Sequence, residues 1–372
     1  MSTAACSTCS DADRLNQGYF CIALDRDALC RALEREAGDP DFCTTFVRPR
    51  ANLFSNVPVF LPADALAKMQ RIVTAIEAAS RLSGYRNVVL SWAPEIAHQD
   101  RGPLGAFMGF DFHLDDDGPR LIEVNTNAGG AFLNALLARA QRACCAEVER
   151  GLAVGTANAF EDAVVRMFQE EWRRQRADQP LTSIAIVDDR PEEQYLYPEF
   201  VLAKEMLHKA GLDVAIANAA ELRYEQGRLW AGGKPVDLLY NRLVDFGLDS
   251  PEHRPLRAAY EDGAVVVTPN PHNHALLADK RNLTLLSDPA TLSAWGLSPE
   301  LSSALERVPR TVLITSDNAQ ALWLSRKQLF FKPACGHGSK AVYRGDKVTR
   351  GVWAEIVKGG YVARNSPRRA SA

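Results

Sequence analysis

The run GFDFHLDDDGPRLIEVN (109–125) constrains the fold more than any other stretch of the chain. Residues 107–114 and 119–125 each read as a strand, and the cluster Asp115-Asp116-Asp117-Gly118 between them is a tight-turn signal. A hairpin follows, and with it a chemical consequence. Asp111 and Glu123 fall on neighbouring strands at one end of a sheet. Side chains two apart on a strand share a face, so Glu123 and Asn125 point the same way. Three compact oxygen donors turned to one space suit a hard cation such as magnesium, which commonly shares its shell with substrate phosphates. The plainer reading is a solvated strand end. The small residues of Asn125-Thr126-Asn127-Ala128-Gly129-Gly130 would let a ligand approach backbone amides.

A second element lies far downstream. Phe330-Phe331-Lys332-Pro333 ends an apolar strand on a lysine, directly before a loop with Gly336, Gly338, Ser339 and Lys340. Glycines free the backbone to turn its N–H groups inward, and Lys332 supplies a point charge for phosphate. A plain flexible hairpin is the bland alternative. No Walker A loop occurs anywhere in the chain, and the glycines do not open the helix of a dinucleotide fingerprint. Lys280 sits in the nitrogen-rich run 270–283, where a helix-surface lysine alone means little. Arg242, just past the apolar strand 236–240, suits either a structural salt bridge or a bidentate grip on a carboxylate. His272, His274 and His337 lack carboxylate partners at metal-ligand spacing. Ser339 is not in a nucleophile elbow and Cys335 has no identifiable base, so a covalent nucleophile is not indicated.

The remaining pattern is mixed α/β. Helical spacing covers 62–82, 132–149, 160–176 and 198–209. Short strands are expected at 86–90, 183–187, 213–216, 236–240 and 264–268. The strand, helix, strand order after the charged stretch 170–178 predicts a small, mostly parallel domain, whose ligands belong beyond the strand carboxyl ends near Asp188, Asn241 and Asn270. The last third predicts helices at 274–286, 299–307, 318–325 and 352–358, with strands at 312–314, 329–332 and 341–344. A net charge of -3 gives no general attraction to nucleic acid or an anionic membrane. No apolar run reaches the roughly 18 residues of a bilayer span, and the start lacks a secretory signal, so a cytoplasmic protein is expected. Eight cysteines are too few for a stapled scaffold; Cys6-x-x-Cys9 reads as part of a flexible terminus, and Cys144 and Cys145 as small helical residues.

Taken together, these motifs resemble the ATP-grasp superfamily, and more narrowly its circularly permuted members related to eukaryotic glutathione synthetase and glutathionylspermidine synthetase-like proteins. The pattern Asp111-x11-Glu123-x-Asn125 resembles the family's magnesium ligands. Lys280 and Lys332 look like its two phosphate-contacting lysines, and Gly336 to Lys340 like its glycine-rich lid. Common members place lysines and lid before the acidic strands. Here the order is reversed, which is the permuted arrangement. The resemblance implies a leader over 1–48, a metal-binding portion over 49–178, an inserted Rossmann-like substrate-side domain over 179–270, a lysine and lid portion over 271–363, and a disordered tail over 364–372.

What the family implies is carboxylate activation with ATP and two magnesium ions as cofactors, giving an acyl phosphate that an amine or thiol attacks. Its substrates would be small carboxylates and amines, with neither nucleic acid nor membrane as partner; the sequence leaves monomer and homo-oligomer open. One departure stands out. After Gly360-Tyr361-Val362-Ala363 the family continues into a hinge that cradles adenine, whereas this chain reads RNSPRRASA (364–372); a shortened member, a truncated sequence and an adenine wall supplied from elsewhere are the open expectations. An inactive nucleotide-binding or protein-interaction remnant, and a small-molecule phosphotransferase, are the alternative expectations.

Overall fold

A computed structural model describes Ala12, Asn16 and residues 25–55, 59–140, 159–334 and 341–365. The Cys6-x-x-Cys9 pair, Cys144 and Cys145, the glycine-loop residues Gly336 to Lys340 and the tail from residue 366 lie outside them. The chain divides into two compact units. One, the sheet unit, comprises Met1–Ala63, Arg101–Phe107 and Asn127–Asn270. The other, the hairpin unit, comprises Asp64–Asp100, Met108–Thr126 and Pro271–Ala372.

In the sheet unit Ile184, Ala185, Ile186 and Val187 are all buried, as expected of a parallel strand covered on both faces. Strand Ser183–Asp188 lies between Asp213–Asn218 and Leu238–Asn241, and Val266–Thr268 completes a four-stranded parallel sheet. Helix Tyr197–Lys209 buries Phe200, Leu202, Ala203 and Leu207. Between Asp213–Asn218 and Leu238–Asn241 the chain makes a small antiparallel sheet that the sequence reading lacks, from Arg223–Glu225, Arg228–Ala231 and Lys234–Pro235. Its turns are Gln226-Gly227 and Gly232-Gly233, and all four residues have positive φ, the backbone twist that two-residue hairpins require. The strands are too short for alternation to show in sequence.

Residues read as leader also carry structure. Asp25 caps helix Arg26–Ala37 by accepting from the Ala28 N–H at 2.8 Å, and Gly38, at φ 66°, ends it. Leu29, Leu33 and Ala37 join Phe42, Phe168 and Trp172 in the core. Cys30 and Cys43 are joined as a disulfide, with Cα atoms 5.4 Å apart, which corrects the expectation of unstapled cysteines.

The hairpin unit packs helix Ala63–Ser80 through Ile72, Ala75, Ile76 and Ala79 against Leu121, Val124 and Leu286. Residues 86–90 are not the expected strand: they belong to helix Ser83–Ser91. Tyr85 and Val89, one turn apart, are fully buried, and the Tyr85 hydroxyl donates to the Leu276 carbonyl at 2.9 Å. A short apolar run is ambiguous between strand and helix, and packing decides here. A four-stranded antiparallel sheet has the order Thr311–Leu313, Tyr361–Asn365, Leu329–Pro333, Tyr343–Arg344. Strand Tyr361–Asn365 is new relative to the sequence reading. Among the described residues no helix is long and apolar enough to cross a membrane.

Two buried charges give tests of this architecture. Glu171, 4% exposed, accepts from the Leu104 and Gly105 N–H groups at 2.9 and 2.7 Å and from the Thr268 hydroxyl at 2.6 Å. Glu171→Leu would strand these donors, and denaturant unfolding should show a loss of about 3 kcal/mol. His253, 2% exposed, is hydrogen-bonded through Nδ1 to Asp245 and through Nε2 to Asp189, each at 2.8 Å. Burial lowers its pKa, but the two carboxylates outweigh burial and the net shift is upward from 6.5. A raised folded-state pKa gives stability that is present below the unfolded value and is lost as pH rises through the folded one. Melting temperatures of the wild type should therefore decline as pH is raised from 6.5, and His253→Gln should flatten that decline.

Candidate functional site

The hairpin forms as expected, from strands Gly109–Asp115 and Gly118–Asn125, with Asp111 directly opposite Glu123. Strict alternation, however, breaks at this point. Asp111 pairs with Glu123 but Phe112 pairs with Leu121, so Ile122 is an extra residue and the strand bulges. Without the bulge, Leu121 and Glu123 would share a face. With it, Leu121 and Val124 both enter the core, at 0% and 4% exposure, while Glu123 reaches the neighbouring lysine strand.

Around that bulge four expected residues and one unexpected residue converge. The Asn125 amide donates to Asp111 Oδ2 at 3.3 Å, and Lys332 Nζ donates to Glu123 Oε2 at 3.4 Å. Asp111 is an exposed residue, but partial desolvation of its carboxyl, followed by the negative charge of Glu123, holds its pKa above the ordinary value. Burial lowers that of Lys332, against the attraction of Glu123. The residue that sequence reasoning missed is Arg364. Its guanidinium is buried and donates to the carbonyls of Leu121 and Ile122, the backbone groups at the bulge. Burial pushes its pKa down to about 10. Phe330 pairs with Arg364 and Lys332 with Val362, so Lys332 and Arg364 project from the same face of their sheet. A lone arginine at the end of an apolar strand was the available sequence signal, but strand Tyr361–Asn365 had gone unread.

Lys280 is placed by its backbone, whose N–H donates to the Ala334 carbonyl at 3.2 Å, two residues beyond Lys332. Its neighbours Asp279 and Arg281 form an ion pair at 2.5 Å, and Arg281 stacks over Trp92 at 5.4 Å. Lys280 acts electrostatically on Lys332 and so belongs to the same cationic neighbourhood. Gly336, Gly338, Ser339 and Lys340 fall outside the described residues.

Asp111, Glu123 and Asn125 form an all-oxygen set of two carboxylates and one amide. Among the described residues no group of three or more His, Cys, Asp or Glu gathers as a metal cluster. The set nevertheless fits a hard cation: its donors are those magnesium prefers, and the mutual repulsion of Asp111 and Glu123 is what a bound cation would relieve.

The sheet unit holds the other candidates. Arg242 is 7% exposed; its Nη1 donates to the Ala128 carbonyl at 2.8 Å and to the Tyr240 hydroxyl at 3.2 Å, while its buried Nε has no hydrogen-bond partner. Glu199, also unforeseen, accepts from the Gly130 and Phe132 N–H groups at 2.5 and 3.1 Å. Asn127 donates to the Arg242 and Leu243 carbonyls. Loop 127–130 is thus held from both ends, and a Cβ on Gly129 would collide with Leu196 and crowd Arg242. Asp188, at the end of its strand, has its carboxyl pushed up to about 6 by burial. Asn241 and Asn270 donate to the carbonyls of Pro269 and Pro103, each at 3.2 Å, so these amides tie loops together.

Among solved structures, the chain is similar to a glutathione synthetase-like effector from Globodera pallida, with a TM-score of 0.56 and 13% identity over 92% of this chain and 82% of that one. A putative gamma-glutamylcysteine synthetase from Methylobacillus flagellatus gives a TM-score of 0.44 and 11% identity, over 83% and 77% of the two chains. No protein-family profile and no curated protein matches the sequence. At 13% identity the first similarity speaks for a shared mixed α/β fold; the second carries no argument.

The raised pKa of Asp111 makes a signed prediction. An acid whose folded pKa is raised disfavours the fold once ionised, and the penalty is relieved as pH falls through the folded value. At neutral pH without divalent cations, Asp111→Asn should therefore melt at a higher temperature than the wild type. Saturating magnesium should stabilise the wild type but not the variant. A less stable variant that keeps the magnesium response would remove Asp111 from the site.

Proposed function

We propose that this protein is an ATP-dependent carboxylate–amine or carboxylate–thiol ligase of the ATP-grasp type, in the circularly permuted arrangement with the parallel-sheet domain inserted. The observation that carries the reading is the convergence of Asp111, Glu123 and Asn125 with Lys332 beside one bulged strand. An all-oxygen cation set within reach of a half-buried lysine is the chemistry that nucleotide phosphates call for. The fold similarity to a glutathione synthetase-like protein supports the same reading, by analogy of fold.

In this reading Asp111, Glu123 and Asn125 would hold magnesium, in one or two ions. Bound there, magnesium would offset charge on the phosphate oxygens. Lys332 and Lys280 orient and neutralise the transferred phosphoryl group, and Gly336, Gly338, Ser339 and Lys340 are assigned to the phosphates by the resemblance of their motif. A substrate carboxylate oxygen attacks the γ-phosphorus as the bond to the β,γ-bridging oxygen breaks, releasing ADP. The amine or thiol then attacks the acyl carbon, and phosphate departs with the electrons of the carbon–oxygen bond as the nucleophile gives up its proton. Arg242, whose buried Nε has no hydrogen-bond partner among the described residues, is assigned to a substrate carboxylate. No protein nucleophile takes part, in keeping with a sequence that offers none.

The test is ADP release from magnesium-ATP with panels of small acids and amines, with hydroxylamine included to trap an acyl phosphate as a hydroxamate. ADP release that requires the acid, together with hydroxamate formation, supports ligation. ADP release with a stable phosphorylated product and no hydroxamate moves the assignment to a phosphotransferase. A folded protein that binds no ATP would end both enzyme readings. Lys332→Ala should lower turnover by roughly 100-fold while the melting curve stays cooperative; unchanged turnover would remove Lys332 from its role.

A further inference from the structure

Segment 271–282 of the hairpin unit is anchored more heavily than a surface helix and turn require. In helix Pro271–Leu277, His272 Nδ1 is hydrogen-bonded to the Ala97 carbonyl at 2.7 Å, and the Leu276 carbonyl accepts from Tyr85 at 2.9 Å. Asn282, fully buried, donates back to the Ala275 carbonyl at 2.8 Å. Two further contacts reach the chemistry-bearing strands themselves. His274 Nδ1 and the Thr126 hydroxyl are hydrogen-bonded at 2.8 Å, one residue past Asn125. The Lys280 N–H grips the Ala334 carbonyl, two residues past Lys332. One short segment therefore touches the end of the carboxylate strand and the end of the lysine strand.

We infer that His274 is a positioning residue, which acts through the Thr126 hydroxyl to fix the carboxyl end of strand Gly118–Asn125 and with it the Asn125 donor. The inference rests on the cation-site reading given above, and it adds to that reading a residue that touches neither cation nor nucleotide. The geometry favours this role over a purely packing one. Thr126 is 1% exposed, so its hydroxyl needs a partner, and the loop beyond it begins the turn toward Gly129 and Gly130. Burial holds the His274 pKa down to about 4, which keeps the ring neutral at physiological pH. A neutral ring adds no positive charge beside Lys280. It can hold the strand end without opposing cation binding, which a lysine or arginine in its place could not do.

The test is direct manganese binding to the full chain by calorimetry, without nucleotide, alongside melting temperatures. Thr126→Val and His274→Phe each remove the hydrogen bond and should weaken manganese binding roughly fivefold, the worth of one net hydrogen bond. The double variant should be no weaker than either single one, because both delete the same interaction. Thr126→Ser and His274→Asn keep a partner at each position and should bind within about twofold of wild type. Equal weakening by Thr126→Ser and Thr126→Val, or additive losses in the double variant, would overturn the inference, as would a wild type that binds no manganese. Manganese binding with the expected pattern, but no ADP release with any acid and amine, would leave His274 in this role and remove the ligase reading instead.

Discussion

A single extra residue, Ile122, sets the arrangement of the candidate site. The strand must deliver Leu121 and Val124 to the core and Glu123 and Asn125 to the site, and a regular pleat cannot do both. The bulge changes the phase between Leu121 and Glu123, and it leaves backbone carbonyls that need donors inside the protein. Arg364 supplies them from strand Tyr361–Asn365, whose register with Leu329–Pro333 also fixes Lys332. The acidic and basic halves of the site are therefore bound together by a repair of the backbone as well as by the ion pair. A buried guanidinium of this kind is strongly coupled to its acceptors, since neither side has water to fall back on.

Much of this was legible from the residues alone, and the failures have physical causes. The Asp-Asp-Asp-Gly turn and its flanking strands were plain because a hairpin writes its turn chemistry into consecutive residues. The parallel strand Ser183–Asp188 showed as an unbroken apolar run. The bulge did not show, because Leu-Ile-Glu-Val-Asn satisfies regular alternation as well as a slipped register, and only pairing with Asp111 and Phe112 distinguishes them. Helix Ser83–Ser91 was misread because Val88, Val89 and Leu90 favour a strand locally, whereas the burial of Tyr85 and Val89 on one helical face is a tertiary matter. Arg364 was passed over because its role depends on a strand from the other end of the chain.

The two units manage charge in different ways. In the sheet unit Glu199, Arg242 and Glu171 are buried and spend their hydrogen bonds on backbone groups, which makes them ties for loops 101–107 and 127–130. In the hairpin unit Asp111 accepts from the Asn125 amide at 3.3 Å and Glu123 accepts from Lys332 at 3.4 Å. Long, loose contacts between like-charged carboxylates and a partly desolvated lysine are what remains when side chains are arranged for something other than each other. That contrast supports the proposed cation site in the hairpin unit on electrostatic grounds that owe nothing to similarity of fold.

The hairpin unit is assembled from three separate stretches of chain, whereas most of the sheet unit is the unbroken run Asn127–Asn270. During synthesis the carboxylate hairpin leaves the ribosome 209 residues ahead of the lysine that pairs with Glu123. Until then Leu121 and Val124 lack part of their core, and the bulge carbonyls lack Arg364. The sheet unit can close first, through contacts local in sequence, and the hairpin must wait on strand Tyr361–Asn365. A chain interrupted shortly before Tyr361 would thus have one completed unit and one that exposes both apolar surface and the bulge carbonyls that Arg364 would cover, which is the form a cell's quality control is built to notice.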